Sequence, residues 1–448
     1  MIRGSIYIFA SKFFSYVTRL ALPVLLVRIL TKTDFGVYRQ FFIFETAIAT
    51  LFQFGINQSL YFFIPRDEKN GGAYLLNSII LNLVIYGVVF SILRQFTGPV
   101  SSFLNVPVLE DYFWPLAFFT LIMMLMVAAD YFLLAKQLAR ASALFEIAGG
   151  IMVNIITLVT AYLTRNLTAI IIALIVGRAL RLLVYLLYIH FSLRGFRAEH
   201  YFFDIWLQIR YGVVLGLGAA AWTLMMQLHN FFVTRYYGTE QFAIYSAGMT
   251  QIPILQMYLL SVVSVSLGRF TRLVRDDNWN EVERLWRKIL ASLYGVGLPL
   301  IIGLLLVSRP LITLMFTPAY ANPTSPEFSF GAVEIFRLNV LTWLYMLINA
   351  QLVIRALDRN DITLFVHLGH LLAAPFVLYA GMRLFGAPGI LGGQACLLIS
   401  ARVTALFVLN RIGRRPMPYV PNVPAVLHFY RDIAERGLAF LRRRPAAD

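Results

Sequence analysis

The sequence holds one cysteine, Cys396, in 448 residues. That excludes a disulfide framework and any zinc or iron–sulfur site built from several thiolates. Charge is as scarce. Only 13% of residues are charged, against roughly 25% in a soluble domain, while 59% are hydrophobic and the mean hydropathy is +0.73. Such a supply cannot cover a surface facing water, so the composition predicts a chain that lives in a bilayer. Motifs of chemistry are missing too. There is no G-x-x-x-x-G-K-[ST] phosphate loop, no H-E-x-x-H pair and no G-x-S-x-G nucleophile turn, so neither ATP hydrolysis nor those hydrolytic chemistries are expected. Acids number 22 against 38 lysines and arginines, a net charge of +16. In a membrane protein this excess belongs first to cytoplasmic loops and lipid headgroups, which sets nucleic-acid binding aside.

What is present is long apolar runs. A membrane-crossing helix needs about 20 mainly apolar residues. Twelve such stretches stand out, at roughly 5–30, 35–63, 73–96, 112–134, 141–163, 167–192, 206–236, 242–268, 287–307, 331–355, 361–384 and 388–410. Turn chemistry separates them, as at Thr31-Lys32-Thr33-Asp34, from Pro65 to Gly72, and from Tyr320 to Pro326. The alternating ten-residue strands of a barrel are not visible. Only Arg3 precedes the first run and no small-residue cleavage site follows it, so it reads as a retained span. The fold class is an all-α membrane protein with twelve transmembrane helices.

The basic residues set the orientation. With a cytoplasmic N-terminus, 25 of the 38 fall on cytoplasmic segments and eight on external ones: Arg28, Lys32, Arg39, Arg94, Arg165, Arg235, Arg309 and Arg383. The positive-inside rule then places both termini inside. No loop is long enough for a soluble domain. Residues 269–288 read as a short basic amphipathic helix, with Leu273, Trp279, Val282, Leu285 and Trp286 able to lie on headgroups. Residues 412–448 form a basic cytoplasmic tail of similar character, which a plain solvated tail would also explain.

Sliding the chain on itself by 207 residues superimposes 28–38 on 235–245. Arg28/Arg235, Phe35/Phe242 and Tyr38/Tyr245 match identically, Val37 falls on Ile244 and Gly36 on Ala243. Six helices separate the copies, so both enter the membrane in the same direction. Two pseudo-symmetric six-helix lobes are implied, 1–200 and 201–411, a design used by carriers that alternate their access.

A charge at mid-bilayer costs roughly 2.5–3.5 kcal/mol on insertion scales, so ionisable residues inside spans mark candidate sites. These are Arg19 in the first helix, Arg178 and Arg181 one turn apart in the sixth, and Arg402 in the twelfth, with Arg210 nearer the cytoplasmic rim, where a headgroup anchor is the plainer reading. Tyr185 continues the face of the arginine pair. A salt bridge or a snorkelling side chain is the alternative reading of each intramembrane arginine, the lesser one for Arg19 and an even one for the Arg178–Arg181 pair. Among acids, Glu45 and Asp130 are candidates for charge balance or ion coupling, with Glu146 closer to the inner surface. Glu334 and Arg337 most simply pair with each other. His367 and His370 have a spacing compatible with a metal, but hydrogen bonds to neighbouring helices explain them more simply, and no metal or cofactor is expected.

A family comes into view in these same segments. Gly4-Ser5, Leu30-Thr31-Lys32-Thr33-Asp34-Phe35-Gly36-Val37-Tyr38 and Gly55-Ile56-Asn57-Gln58-Ser59 resemble bacterial polysaccharide flippases of the Wzx type. These belong to the superfamily that also holds MATE exporters and the lipid II flippase. Leu311 to Tyr320 and Leu384 to Gly393 look like later family segments, although Thr317-Pro318 stands where relatives more often carry glycine. The resemblance covers about residues 1–410. It implies a MATE-like fold and a flippase for undecaprenyl-diphosphate-linked oligosaccharide in the bacterial inner membrane, working with membrane lipids and polysaccharide-assembly proteins. Guanidinium forks at Arg19, Arg178, Arg181, Arg402 and Arg210 suit the diphosphate and glycan. Two other readings stay open: a MATE-type cation exporter, which would want an acid-lined site, and a polymerase or ligase of polysaccharide assembly, which would want a large external loop.

Overall fold

In hydrocarbon every backbone N–H and C=O must be paired within the chain, and this chain meets the demand with helices. The computed structural model describes residues 2–53, 55–106, 108–193, 204–322, 328 and 330–442, with the side chains at 2–12, 19, 192–193, 214–215, 264–265, 360, 433 and 436–442 left out. In chain order the helices are α1 (Ile2–Leu26), α2 (Lys32–Phe52), α3 (Ile56–Phe63), α4 (Gly71–Leu104), α5 (Val108–Asp111), α6 (Phe113–Ala135), α7 (Ala139–Thr164), α8 (Leu167–Leu193) and α9 (Ile205–Gly248). They continue with α10 (Ile254–Arg275), α11 (Trp279–Leu306), α12 (Ser308–Phe316), α13 (Pro318–Ala321), α14 (Ala332–Thr342), a 3-10 turn at Trp343–Leu347, α15 (Gln351–Ala356), α16 (Asn360–Phe385), α17 (Ala387–Ile412) and α18 (Val423–Arg442).

Among the described residues nine helical segments are long and apolar enough to cross a membrane, and α9, bent by 41°, makes a tenth. The chain is a multi-pass membrane protein. Several expected spans are interrupted. The stretch 35–63 is divided into α2 and α3 at Gly55, whose φ of 65° suits a residue without Cβ. The stretch 331–355 is broken by the 3-10 turn and Ile348. Gly238, with φ 81° and ψ 179°, interrupts α9. The start of α2 is written locally: Thr31 Oγ1 accepts the Asp34 amide at 3.1 Å and donates to its carboxylate at 2.7 Å, a side-chain cap for otherwise orphaned donors.

Packing divides the chain into two units: 2–247 with 313–331, and 248–312 with 332–442. In the first, α7 packs on α1 and α8, and α6 on α4 and α8. Its inner core includes Leu60, Phe63, Tyr74, Ala128, Phe132, Leu133, Tyr185 and Ile189. Leu83, Val84, Val88, Ile92 and Phe96 of α4 are exposed, as a lipid-facing stripe should be. The two repeat segments, 28–38 and 235–245, touch here: Gly36 approaches the Thr239 carbonyl so closely that a Cβ would stand 2.4 Å from its oxygen. Nearby, Gln40 Nε2 donates to Thr239 Oγ1 at 3.3 Å and Lys32 lies 4.0 Å from Glu240. Because α9 and 313–331 pack with the first unit, packing alone draws no line at residue 200.

In the second unit α16 and α17 form a hairpin, α10 packs on α11 and α15, and α18 packs on α11. Residues 269–288 do not form a separate surface helix. The first part closes α10 and the last part opens α11, whose start is capped by Asn278 accepting the Glu281 amide at 3.2 Å. Val282, Leu285 and Trp286 are buried instead of lying on headgroups, and Trp286 Nε1 donates to the Pro418 carbonyl at 3.0 Å. The cause is the tail: the segment after α17 folds back over α11 and covers this face.

Candidate functional site

Four stretches of helix in the first unit carry mostly polar residues at helical spacing on faces that converge. On α2 these are Tyr38, Arg39, Phe42, Glu45 and Thr46; on α1, Ser15 and Thr18; on α7, Glu146, Gly150 and Asn154; on α8, Arg178 and Arg181. Residues three, four and seven apart share a helix face, so each stripe points the same way. Together, with Phe119 and Met123 of α6, they line a cavity of about 300 Å³. Its described walls hold three arginines and two glutamates.

The charges are held by specific partners. Arg181, with only 6% of its side chain exposed, pairs through Nη2 with Glu146 Oε2. Ser15 Oγ donates to the other oxygen of Glu146 at 2.7 Å, so this carboxylate ties α1 and α8 to α7. Gly149 makes room for the pair: a Cβ there would stand 2.5 Å from Arg181 Cδ. Asn154 Nδ2 donates to the Thr18 carbonyl at 3.2 Å. The Arg178 guanidinium lies 5.6 Å from the centroid of the Phe119 ring, a cation–π distance. Arg39 Nη2 donates to the Ser246 carbonyl at 3.4 Å. Glu45 is buried, with the Thr46 hydroxyl 3.4 Å from its carboxylate.

Of the residues singled out from the sequence, Arg178, Arg181 and Glu45 meet in this cavity. The Arg19 side chain lies outside the described residues. Asp130 is not in the wall; it accepts from Ser142 Oγ at 2.5 Å and from Tyr185 Oη at 3.2 Å, and Tyr185 thereby belongs to the core. Arg210 is exposed on α9. Arg402 belongs to the second unit, 5.5 Å from the Tyr345 ring centroid. Arg337 donates through Nε to Ser308 Oγ at 2.8 Å. His367 meets Gln351 at 2.9 Å, and His370 donates to the Val366 carbonyl of its own helix at 2.8 Å. No group of three His, Cys, Asp or Glu that could hold a metal ion occurs among the described residues. The sequence places Arg39 with an external segment and Glu146 nearer the inner surface; in the structure both line the cavity, and the spacing of Arg39 to Phe42, Glu45 and Thr46 is the signal for its place on the polar face of α2.

A second cavity, of about 340 Å³, also borders α2. Its walls are hydrocarbon: Phe44, Ala47, Ile48 and Leu51 of α2 with Phe90, Phe113, Leu228 and Phe231 of α4, α6 and α9. Neighbouring residues of one helix thus face a charged chamber and an apolar one. Guanidinium groups among membrane helices suit an anion, and a phosphate best, because their planar fork makes paired charge-assisted hydrogen bonds.

Residues 25–324 match the family model described as polysaccharide biosynthesis protein. No curated protein matches the chain by sequence. Solved transporters share its fold. A MOP superfamily transporter from Pyrococcus furiosus, whose binding pocket is described as of reverse polarity, aligns with TM-score 0.64 and 14% identity over 92% of this chain and 94% of its own. The lipid II flippase MurJ, inward closed, gives 0.68 and 13% over 100% and 94%. An outward-facing multidrug-resistance MATE transporter of the same superfamily gives 0.63 and 14% over 92% and 94%. At these identities the likeness establishes a MOP-type fold.

Proposed function

We propose, from the premise that the chain belongs to the polysaccharide biosynthesis protein family, that it is a flippase for undecaprenyl-diphosphate-linked oligosaccharide in the bacterial inner membrane. The observation that carries this reading is the cavity in which Arg39, Arg178 and Arg181 stand among membrane helices. A lipid-linked glycan combines a hydrocarbon tail, an anionic diphosphate and many hydroxyls. Those hydroxyls cannot cross hydrocarbon unaided, since each unsatisfied polar group costs several kcal/mol there. A chamber with fixed cations lowers that barrier by replacing water around the diphosphate. In this reading Arg178 and Arg39 meet the phosphates from the cavity wall, while Arg181, paired with Glu146, keeps α7 and α8 in register around them.

The working arrangement in this proposal is two lobes, 1–200 and 201–411, that alternate access, with both termini cytoplasmic. No phosphate-binding loop for ATP exists in the sequence, so direction comes from elsewhere. Two negative charges moving outward gain about 2.3 kcal/mol each per 100 mV of inside-negative potential. That suffices without a coupling ion, and Glu45 then tunes charge instead of carrying protons.

The test is reconstitution in vesicles with a diphosphate-linked glycolipid and no ATP. Flipping should be faster when the donor side is negative; Arg178→Ala should abolish it and Arg178→Lys should keep part of it. An absolute need for ATP, or transport of organic cations with no effect on glycolipid, would overturn the proposal, the second outcome in favour of a MATE-type exporter.

A further inference from the structure

The apolar chamber between α2, α4, α6 and α9 has no polar group to offer a guest. Among its described lining residues Thr97 alone carries a polar side chain. That hydroxyl is satisfied inside α4, donating to the Leu93 carbonyl at 2.8 Å with the Arg94 carbonyl 3.2 Å away. A cavity without polar partners stays dry, and one of roughly 150 Å³ accepts a benzene. In the same ratio a cavity of about 340 Å³ accommodates about a dozen carbons, or about two isoprene units. On α4 the exposed Phe96 and Phe103 stand next to the lining residues Thr97 and Leu104, so the rim of the chamber meets bilayer hydrocarbon.

The chamber and the charged cavity share one face of α6. Leu116 lines the first and Phe119 the second, and three residues are only about 4.5 Å of helix rise. Phe119 stands at the junction. The Arg178 guanidinium lies 5.6 Å from its ring centroid, and the fully buried Phe41 of α2 meets it edge-on at 5.4 Å. A hydrocarbon chain leaving a diphosphate at Arg178 therefore comes to Leu116 by passing the Phe41–Phe119 contact. A chain bonded to an anion makes use of both cavities. An acyl chain of the bilayer would fill the chamber and make no use of the arginine wall one turn away.

We infer, building on the proposed function, that this chamber holds the isoprene units nearest the diphosphate of the lipid-linked substrate, with the Phe41 and Phe119 rings parting to admit them. The chain then has a protein site of its own. Charged group and hydrocarbon are held at neighbouring turns of α6, and the glycan plays no part in the second grip.

The experiment places the full-length protein in vesicles with a polyprenyl diphosphate that carries a diazirine on its second isoprene unit. Irradiation should leave adducts on Phe44, Ala47, Leu116 or Phe231, which line the chamber. Ala47→Phe and Leu228→Trp each fill the chamber from one wall. Both should lose these adducts and flip glycolipid more slowly, with an unfolding midpoint no lower than the parent's. Phosphatidylglycerol with a diazirine in its acyl chain should instead mark the exposed Ile92 and Phe96 of α4. Chamber adducts that persist in both filled variants, polyprenyl adducts confined to exposed α4, or equal labelling of the chamber by phosphatidylglycerol would each overturn the assignment. Filled variants that flip like the parent, beside an Arg178→Ala variant that does not flip, would remove the chamber and keep the flippase. A parent protein that takes chamber adducts yet flips no glycolipid would keep the isoprenoid site and remove the flippase.

Discussion

Replacing Arg181 with leucine removes the cation that holds Glu146 among α1, α7 and α8. The arginine side chain is 6% exposed and the glutamate 23%. Deleting one partner of a buried pair costs about 3–5 kcal/mol, because the other charge is left in a poor environment. The partial exposure of Glu146 and the Ser15 hydroxyl at 2.7 Å soften the loss, so about 2–4 kcal/mol is expected. At about 1–2 °C per kcal/mol for a chain of this length, the unfolding midpoint in detergent should fall by roughly 2–8 °C. Fluorescence-detected size-exclusion after heating at one fixed rate would read it. The double variant E146L/R181L should recover most of that loss, since apolar replacement of a whole buried pair is close to neutral or stabilising. Transport is the separate readout. If the guanidinium only braces the helices, the double variant flips glycolipid again; if its charge is needed by substrate, stability returns and transport does not. A single Arg181→Leu variant within 1 °C of the parent, or a double variant no more stable than the single, would refute the pairing argument.

Gly149→Ala should act on the same pair by pushing a Cβ against Arg181 Cδ, and should lower the midpoint by an amount typical of overpacking, about 1–3 kcal/mol; a neutral result would mean that the Arg181 stem has an alternative path. Gly36→Val should be destabilising and transport-poor, because the Thr239 carbonyl occupies the needed space. In a Cys396→Ala background, cysteines replacing Gln40 and Thr239, whose side chains already meet at 3.3 Å, should be joined by a short bifunctional thiol reagent and stop turnover; continued transport by the cross-linked protein would show that this contact never opens. For topology, Ser102→Cys is the better probe than its neighbour Ser101, which is buried with its hydroxyl donating to the Val106 carbonyl at 2.9 Å. Labelling from outside intact cells is expected at Ser102→Cys, and labelling only after permeabilisation would reverse the proposed orientation.

The sequence announced Arg178, Arg181 and Glu45 because a charge within a hydrocarbon span is expensive and therefore conspicuous. Arg39 escaped for the opposite reason. It stands a few residues past a polar turn, where an arginine costs little and attracts no notice, and only the shared face with Phe42 and Glu45 reveals its direction. Trp286 exposes a different limit. Periodicity around 279–286 showed that one face of the helix is apolar, but a headgroup layer and a returning tail both cover such a face, and the choice depends on contacts 130 residues away, such as Pro418. Helix breaks were similarly hidden. Gly55 was visible as part of a motif, yet that its φ would be 65° depends on the chain that packs around it.

Helix α2 is where these strands of reasoning meet. Its Thr31 cap fixes the start of the helix, and Gly36 and Gln40 seat its first turns against Thr239. From there Arg39, Phe42, Glu45 and Thr46 face the charged chamber, while Phe44, Ala47, Ile48 and Leu51 face the apolar one. A rigid helix cannot turn one face without turning the other. Any shift at the Gly36–Thr239 contact therefore moves the arginine-bearing wall and the hydrocarbon wall together. An amphiphile whose charged and apolar parts were held on the two sides of α2 would have both grips changed in one motion, which is the coupling a flippase needs if headgroup and tail are to cross as one molecule.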